Sequence, residues 1–198
     1  MTQNIPHDLR LALWKTAAAL EPEQSDWLLG GSCGLLLQGV ELGRDPRDID
    51  IYTDSCHVSA LHNKLRHWAA GDPEFDREGM YESLLAKYEL DRYPLELVGG
   101  FKVASGQSRY RVEVDGLLGF YAMEAVLEGN GSALALKLMP LAHELVFNVL
   151  RDRPDRYEPI ARAIRRDKTR HTGLLERILE RNDWDSGHRT RISALTGT

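Results

Sequence analysis

Hydrophobic and polar positions follow two different periods along the chain and predict both helices and strands. Residues 7–20 carry apolar side chains at helical spacing without Gly or Pro, which predicts a first helix. Residues 26–29 predict a short strand, Gly30-Gly31 a tight turn, and Ser32 the start of a helix that runs to Gln38. Residues 48–52 open with a strict polar and apolar alternation, which is typical of a strand with its carboxylates on one face.

The rest of the pattern predicts strands first and then helices alone. The predicted elements are a helix at 56–70, strands at 83–90, 93–98 and 133–139, and helices at 141–151, 157–166 and 172–181. Residues 117–127 fit a strand or a helix, and the polar tail after Trp184 is predicted to fray. This order predicts an α+β or α/β fold, with a small mixed β-sheet flanked by helices and a C-terminal helical part.

Composition mainly excludes other classes of protein. The 198 residues are 42% hydrophobic and 28% charged, which is typical of a globular domain and not of a disordered chain. No apolar run approaches the roughly 20 residues that a membrane helix needs. Residues 1–8 lack the features of a secretion signal, so we expect a cytoplasmic protein without a membrane partner. Cys33 and Cys56 are expected to be free thiols, and His62 and His67 to lie on a helix surface rather than in a zinc site.

Charge is acidic overall but locally basic. The formal net charge is −5, whereas residues 151–170 hold eight basic and four acidic side chains. Such a segment usually forms an exposed helical face, and contact with nucleic acid or a triphosphate is the alternative.

A glycine-rich turn between the first strand and its helix is the first candidate for chemistry. Gly30, Gly31 and Ser32 would offer backbone N–H groups, a hydroxyl and the positive end of a helix to an anion. Arg44 follows in the next turn and would add a positive charge, with Arg47 as a weaker candidate. The sequence therefore predicts a nucleotide-phosphate site formed by Gly30, Gly31, Ser32 and Arg44.

Carboxylates on two strands form the second candidate. Asp48 and Asp50 lie two residues apart and project from the same face of one predicted strand, where they would bind a hard divalent cation. Glu96 is the lone charge in the apolar run of residues 94–98, where an unpaired charge would be costly, so it is the candidate third acid. Four acids on adjoining strands remain as substitutes for it: Glu89, Asp91, Glu113 and Asp115.

Together these motifs resemble the nucleotidyltransferase superfamily of the DNA polymerase β type, which includes minimal, antibiotic-modifying and toxin–antitoxin enzymes. The resemblance rests on Gly-Gly-Ser after an apolar residue, a helix, an Arg-containing turn, and Asp-x-Asp between apolar residues. Gly31 and Ser32 match the triphosphate-binding Gly-Ser of the family. Asp48 and Asp50 match its metal-binding pair, and Glu96 takes the place of a third acid that is usually Asp.

The resemblance implies a catalytic and metal-binding set of Asp48, Asp50 and Glu96 that holds two Mg²⁺ ions, with Mn²⁺ as a possible substitute. The implied reaction is transfer of a nucleoside monophosphate from an NTP such as ATP to a hydroxyl acceptor, with release of pyrophosphate. Residues 1–139 would form the nucleotidyltransferase-like catalytic domain and residues 140–198 a C-terminal helical region.

Three functions remain open from the sequence. A small-molecule acceptor fits the acidic net charge, because such a surface attracts small cations. Transfer to RNA or protein, as in toxin–antitoxin systems, fits the basic segment. A non-catalytic nucleotide-binding or interaction module is the third possibility. The oligomeric state also stays open, with a homodimer as one option.

Overall fold

A mixed β-sheet forms the centre of the computed structural model, which describes residues 5–21 and 27–197. Eight strands are found in this part of the chain: β1 (Leu28–Gly30), β2 (Ile49–Thr53), β3 (Glu74–Glu78), β4 (Tyr81–Leu90), β5 (Tyr93–Ser105), β6 (Ser108–Arg111), β7 (Met123–Gly129) and β8 (Ser132–Leu138). Their order across the sheet is β3-β4-β5-β2-β1-β8-β7, and β6 pairs with β5. The mixed sheet that the sequence predicts is therefore confirmed, although Asp26 of the first predicted strand lies outside the described residues.

Helices flank this sheet and follow it in the sequence. The described residues hold α1 (His7–Leu20), α2 (Gly31–Leu37), α3 (Val58–Leu65), α4 (Leu141–Leu150), α5 (Pro154–Arg166), α6 (Lys168–Glu180) and α7 (Ser186–Thr196). Short 3₁₀ turns lie at Ser55–His57, Arg66–Trp68 and Leu118–Tyr121. No helix in the described part of the chain is both long and apolar enough to cross a membrane.

The strand that carries the paired aspartates lies near the middle of the sheet. β2 runs antiparallel to β1 and parallel to β5, and this register places Asp50 beside Glu96. β1 in turn runs parallel to β8, so strands from the beginning and the end of the sheet-forming region are neighbours. Two residues distant in sequence, Asp50 and Glu96, are thereby held on adjacent strands.

Two hydrophobic clusters cover the two faces of the sheet. Leu28 belongs to a cluster with Leu145 and Ile160 of the C-terminal helices, and Leu29 belongs to a cluster with Leu13 of α1 and Leu61 of α3. Successive residues of a strand point to opposite faces, which explains how neighbours join different clusters. The C-terminal helices thus pack directly on the sheet, and the division at residue 139 stays a prediction.

Several predicted elements differ in detail. The predicted helix at 56–70 is α3 between two 3₁₀ turns, and residues 117–127 form a 3₁₀ turn followed by β7. The sequence pattern missed β3 because this edge strand has exposed, mostly charged residues and no apolar face. β5 continues to Ser105, well beyond the predicted end at residue 98.

Two predictions about the surface were wrong. The tail after Trp184 does not fray but forms α7, because the Asp185 side chain accepts a hydrogen bond from the His188 N–H and Ile192 is fully buried. His62 is buried, with its Nδ1 3.0 Å from the Tyr88 hydroxyl. A polar partner inside the protein allows this histidine to leave the surface.

Both cysteines are free thiols, and they differ in exposure. Cys33 is buried and Cys56 is exposed. Burial raises the pKa of the Cys33 thiol well above its usual range, and the charges of Asp50 and Asp48 add to this effect. Cys33 therefore packs in the hydrophobic core at the start of α2.

Candidate active site

The glycine-rich turn packs directly on the second aspartate of β2. Gly31 begins α2 with φ of +57°, a conformation that favours glycine, and a Cβ on this residue would overlap the Asp50 Oδ2 atom. A Cβ on Gly30 would lie 2.6 Å from the ring of Tyr52. Both positions thus require glycine, because any side chain would keep the turn from lying this close to Asp50 and Tyr52.

Replacing Gly31 with alanine tests this close approach. A left-handed backbone alone costs alanine about 1–2 kcal/mol. We expect Gly31→Ala to destabilise the fold by more than this, because the added Cβ also displaces Asp50. Urea unfolding checks this prediction. Gly131→Ala is the matched control, since Gly131 has φ of +77° but open space around its Cβ position. Equal losses in the two variants would contradict the role of the Asp50 contact.

The three predicted carboxylates face one cavity of about 580 Å³. Asp48 is exposed just before β2, whereas Asp50 on β2 and its register partner Glu96 on β5 are half-buried. Burial raises the pKa of Asp50 to about 7, and the negative charges of Asp48 and Glu96 add to the shift. This crowding of negative charge makes the site attractive to a cation.

The four substitute acids lie away from this cavity. Glu89 is exposed on β4, and Asp91 receives a hydrogen bond of 2.6 Å from Lys15. Glu113 pairs with Arg181 at 2.8 Å, and Asp115 lies 2.5 Å from the His57 ring. None of the four lines the cavity that holds Asp48 and Asp50.

Arginines from distant parts of the sequence line the same cavity and form its arginine wall. Arg44 and Arg47 come from the turn before β2, and Arg151, Arg153 and Arg156 come from the end of α4 and the first turns of α5. Desolvation lowers the pKa of Arg156, and the positive charges of Arg44 and Arg153 lower it further. A wall of mutually repelling guanidinium groups is suited to a polyanion.

Arg156 has only a weak counter-ion. It is largely buried, and its Nε lies 3.9 Å from Asp155, a carboxylate already bound by two hydrogen bonds of 2.8 and 2.6 Å from Arg153. The basic segment thus divides in two. Its first three arginines line the cavity, and the others are exposed outside it: Arg162, Arg165, Arg166, Lys168 and Arg170.

The structure adds one buried acid that the sequence analysis missed. Glu144 on α4 lines the cavity with only 2% of its surface exposed, and its Oε1 accepts a hydrogen bond of 2.8 Å from the Gly31 N–H. The Gly31 amide, expected to be free for a phosphate, is therefore already engaged. Glu144 is the only acid in the apolar sequence of α4, the same signal that pointed to Glu96.

Aromatic rings line the remaining part of the cavity. Tyr81 stacks on Phe101 with ring centroids 5.8 Å apart, and Phe101 meets Phe147 edge-on at 5.4 Å. The Arg151 guanidinium lies over the Phe147 ring, 4.7 Å from its centroid. The cavity therefore combines a carboxylate wall, an arginine wall and an apolar portion, as binding sites for polar organic ligands do.

The donor set fits a magnesium ion that arrives with phosphate. In the described ranges, no three His, Cys, Asp or Glu side chains come close enough to form a ready-made metal centre. Mg²⁺ usually binds through one or two carboxylates together with substrate phosphates and water, so a complete protein cage is not required. Asp48 and Asp50 supply such a pair, beside arginines suited to the phosphates.

Comparison with solved structures identifies the fold. TM1012 of Thermotoga maritima, a candidate nucleotidyltransferase, is similar with a TM-score of 0.58 and 20% identity, over 87% of this chain and 96% of that chain. The antibiotic-resistance factor ANT(2'')-Ia is similar with a TM-score of 0.51 and 11% identity, over 96% of this chain and 95% of its own. No protein-family profile and no curated protein matches the sequence.

These similarities show that the chain has the α+β fold of the nucleotidyltransferases, as the sequence resemblance implied. The fold places the paired aspartates and the glycine-rich turn around one cavity. At these identities the similarity concerns architecture, so the chemistry must be argued from the residues in the cavity.

Proposed function

We propose that the protein is a metal-dependent nucleotidyltransferase that moves a nucleoside monophosphate from an NTP to a hydroxyl acceptor and releases pyrophosphate. The observation that carries this proposal is the single cavity that both Asp48, Asp50 and Glu96 and the arginine wall line. Carboxylates alone would suit a cation and arginines alone an anion. Their combination suits a metal–triphosphate complex.

Asp48 and Asp50 would hold Mg²⁺, with Glu96 sharing a second ion. When bound, Mg²⁺ offsets negative charge on the phosphates and lowers the pKa of a bound hydroxyl. Glu96 is half-buried beside Asp50, with the Lys87 Nζ 3.8 Å from its Oε1. If Glu96 does not share the second ion, its carboxylate would instead act as the general base that accepts the proton of the acceptor hydroxyl as that oxygen attacks the α-phosphorus.

The arginine wall would hold the triphosphate. During the reaction a bond forms between the acceptor oxygen and the α-phosphorus, and the bond to the pyrophosphate oxygen breaks. Arg44, Arg151 and Arg156 would offset the charge that develops on the leaving pyrophosphate. Ser32, which lines the same cavity at the start of α2, would add its hydroxyl and N–H to the phosphate contacts.

A small molecule is the acceptor that we favour. The cavity of about 580 Å³ falls within the range of small-molecule sites. ANT(2'')-Ia, which shares the fold, is an antibiotic-resistance factor. The exposed basic residues of α5, such as Arg162 and Arg166, lie outside the cavity, and RNA contact there is the outcome that would redirect the proposal to a macromolecular acceptor.

Calorimetric titration of each of the four NTPs with Mg²⁺ tests the proposal. The wild type is compared with Asp48→Ala/Asp50→Ala and with Asp72→Ala/Glu74→Ala, which removes two exposed acids outside the cavity. We expect metal-dependent binding of at least one NTP to the wild type and the control, and its loss in the first double variant. Pyrophosphate release with a panel of hydroxyl acceptors then identifies the second substrate.

Absence of NTP binding in the wild type would overturn the proposal and favour the non-catalytic module. Binding that survives equally in Asp48→Ala/Asp50→Ala would show that the nucleotide does not depend on these carboxylates. Folding of each variant is checked by thermal unfolding, so that loss of binding is not confused with loss of structure.

Removing the charge of Arg156 provides a second test of the arginine wall. We expect Arg156→Met to weaken NTP binding by roughly 10- to 100-fold, because a charge-assisted hydrogen bond contributes about 1.5–3 kcal/mol. Binding of the corresponding nucleoside should not change. Arg166→Met on the exposed side of the same helix is the control. Equal weakening of nucleoside and NTP would contradict a triphosphate contact.

A further inference from the structure

A buried acid without an evident packing role lies in the wall of the cavity. Every residue of α4 is buried, and most of the helix is apolar. Glu144 is 2% exposed and contacts the glycine-rich turn rather than a basic partner on its own helix. A leucine would fill such a position at lower desolvation cost, so the oxygen atoms of Glu144 must serve a purpose that packing does not.

The hydrogen bond from Gly31 shows what those oxygens do. The first N–H groups of a helix have no partner within the helix, and the Gly31 amide at the start of α2 finds its partner in the Glu144 Oε1 at 2.8 Å. This bond joins residues 113 positions apart in the sequence. It is the direct polar link between a C-terminal helix and the glycine-rich turn.

Three side chains lie close to the turn: Asp50, Tyr52 and Glu144. Below it lies Asp50, which a Cβ on Gly31 would overlap, and beside it lies the Tyr52 ring, 2.6 Å from a Cβ on Gly30. The Glu144 Oε1 would lie 3.2 Å from that same Cβ. Asp50 and Tyr52 belong to the sheet, whereas Glu144 belongs to a helix. Movement of Glu144 would therefore free the turn on the side that this helix holds.

We propose that Glu144 is a positioning residue, which fixes the Gly30-Gly31 turn over Asp50 so that Ser32 and the carboxylates face the same phosphate chain. This inference rests on the proposed function. Glu144 acts through the turn and not on the reacting atoms. The nucleotide site is therefore completed by a helix that lies outside the sequence motif.

Three variants of Glu144 separate positioning from simple packing. Glu144→Gln keeps an acceptor oxygen for the Gly31 N–H, Glu144→Asp shortens the arm by one methylene, and Glu144→Leu removes the acceptor. Val146→Ala, a buried residue of the same helix outside the cavity, is the control for general destabilisation. Exchange of amide hydrogen for deuterium in peptides covering residues 28–35 reports on the turn, and titration with Mg²⁺ and the NTP that binds the wild type reports on the site.

We expect Glu144→Leu and Glu144→Asp to exchange faster at the turn and to weaken NTP binding at least tenfold. Glu144→Gln should retain wild-type protection and binding within threefold, and Val146→Ala should lose thermal stability without losing affinity. If Glu144→Leu does not fold, the contrast between Glu144→Gln and Glu144→Asp decides.

If the turn of Glu144→Asp exchanges fast but the variant binds NTP with wild-type affinity, the positioning role is overturned and the proposed function is not. A wild type that binds no NTP would overturn this inference together with the proposed function. In that case the exchange data would still show whether Glu144 holds the turn.

Discussion

Replacing Asp50 with asparagine is expected to lower the rate of the proposed nucleotidyl transfer on the order of a thousandfold, because the variant would lose the charge of a proposed metal ligand. Thermal stability, in contrast, should stay the same or increase. Burial and the charges of Asp48 and Glu96 raise the pKa of Asp50 to about 7. The ionised form of this carboxylate is therefore destabilised in the folded protein. A neutral amide relieves this repulsion. The expected combination is an inactive protein with unchanged or higher thermal stability.

Pyrophosphate release and thermal unfolding, measured on the same preparations, check this prediction. Glu89→Gln is the control, because Glu89 is an exposed acid of the neighbouring sheet region outside the cavity. It should keep wild-type activity. An Asp50→Asn protein that retains more than a tenth of the wild-type rate would exclude Asp50 as an essential ligand.

The second large effect concerns stability at alkaline pH in the metal-free protein. Burial raises the pKa of Glu144 from 4.5 to about 8, with Asp50 adding to the shift and the Gly31 hydrogen bond opposing it. A raised pKa means that folding favours the protonated acid. Its contribution to stability is complete below pH 4.5 and is lost as the pH rises through about 8, at about 1.4 kcal/mol per pH unit.

Glu144→Gln should therefore be more stable than the wild type at pH 8.5, by about 2–5 kcal/mol. At pH 4.5 the two proteins should differ little. Urea unfolding in the presence of a chelator measures both values. Glu128→Gln, an exposed acid on β7, is the control and should follow the wild type at every pH. A wild type whose stability does not fall between pH 5 and 8.5 would contradict the assignment.

The neighbouring histidine limits stability on the acid side. Burial lowers the pKa of His143 from 6.5 to about 3, so folding favours its neutral form. Its contribution is complete above pH 6.5 and is lost as the pH falls toward 3. Asp50, whose pKa is raised from 3.8 to about 7, opposes His143 in the same way as Glu144 does. The slopes of His143 and Asp50 cancel between pH 3.8 and 4.5, and above pH 4.5 Glu144 adds a second falling slope, so these three groups place the highest stability of the metal-free protein between pH 3.8 and 4.5.

The sequence predicts those parts of the site whose signal is local. Asp48 and Asp50 follow from a strict alternation over the four residues 48–51, and the burial of Ile49 and Ile51 on the other face agrees with it. Glu96 follows from a lone charge in an apolar strand. Its register beside Asp50 depends on the parallel pairing of β2 and β5, which no local pattern specifies.

The parts that were missed depend on tertiary structure. For residues 151–170 the sequence offered contact with a triphosphate only as the alternative to an exposed helical face. It could not single out Arg151, Arg153 and Arg156, because only the packing of α4 and α5 on the sheet places these three at the cavity. Glu144 could have been suspected from the lone-charge argument. Its partner is a backbone N–H at Gly31, which carries no sequence signal. For the same reason α7 could not be predicted, because its sequence is mostly polar and only Ile192 and Thr196 are buried.

The bond between Gly31 and Glu144 has a consequence for the order of events during synthesis. The carboxylates on β2 and β5 are translated within the first half of the chain, whereas α4 and the start of α5, which supply Glu144 and Arg156, are translated much later. Contacts that close long loops form slowly, because their entropy cost precedes their stabilisation. A nascent chain would therefore carry the aspartates long before the cavity is complete, and any ligand that needs both groups of residues would bind only once the C-terminal helices have left the ribosome.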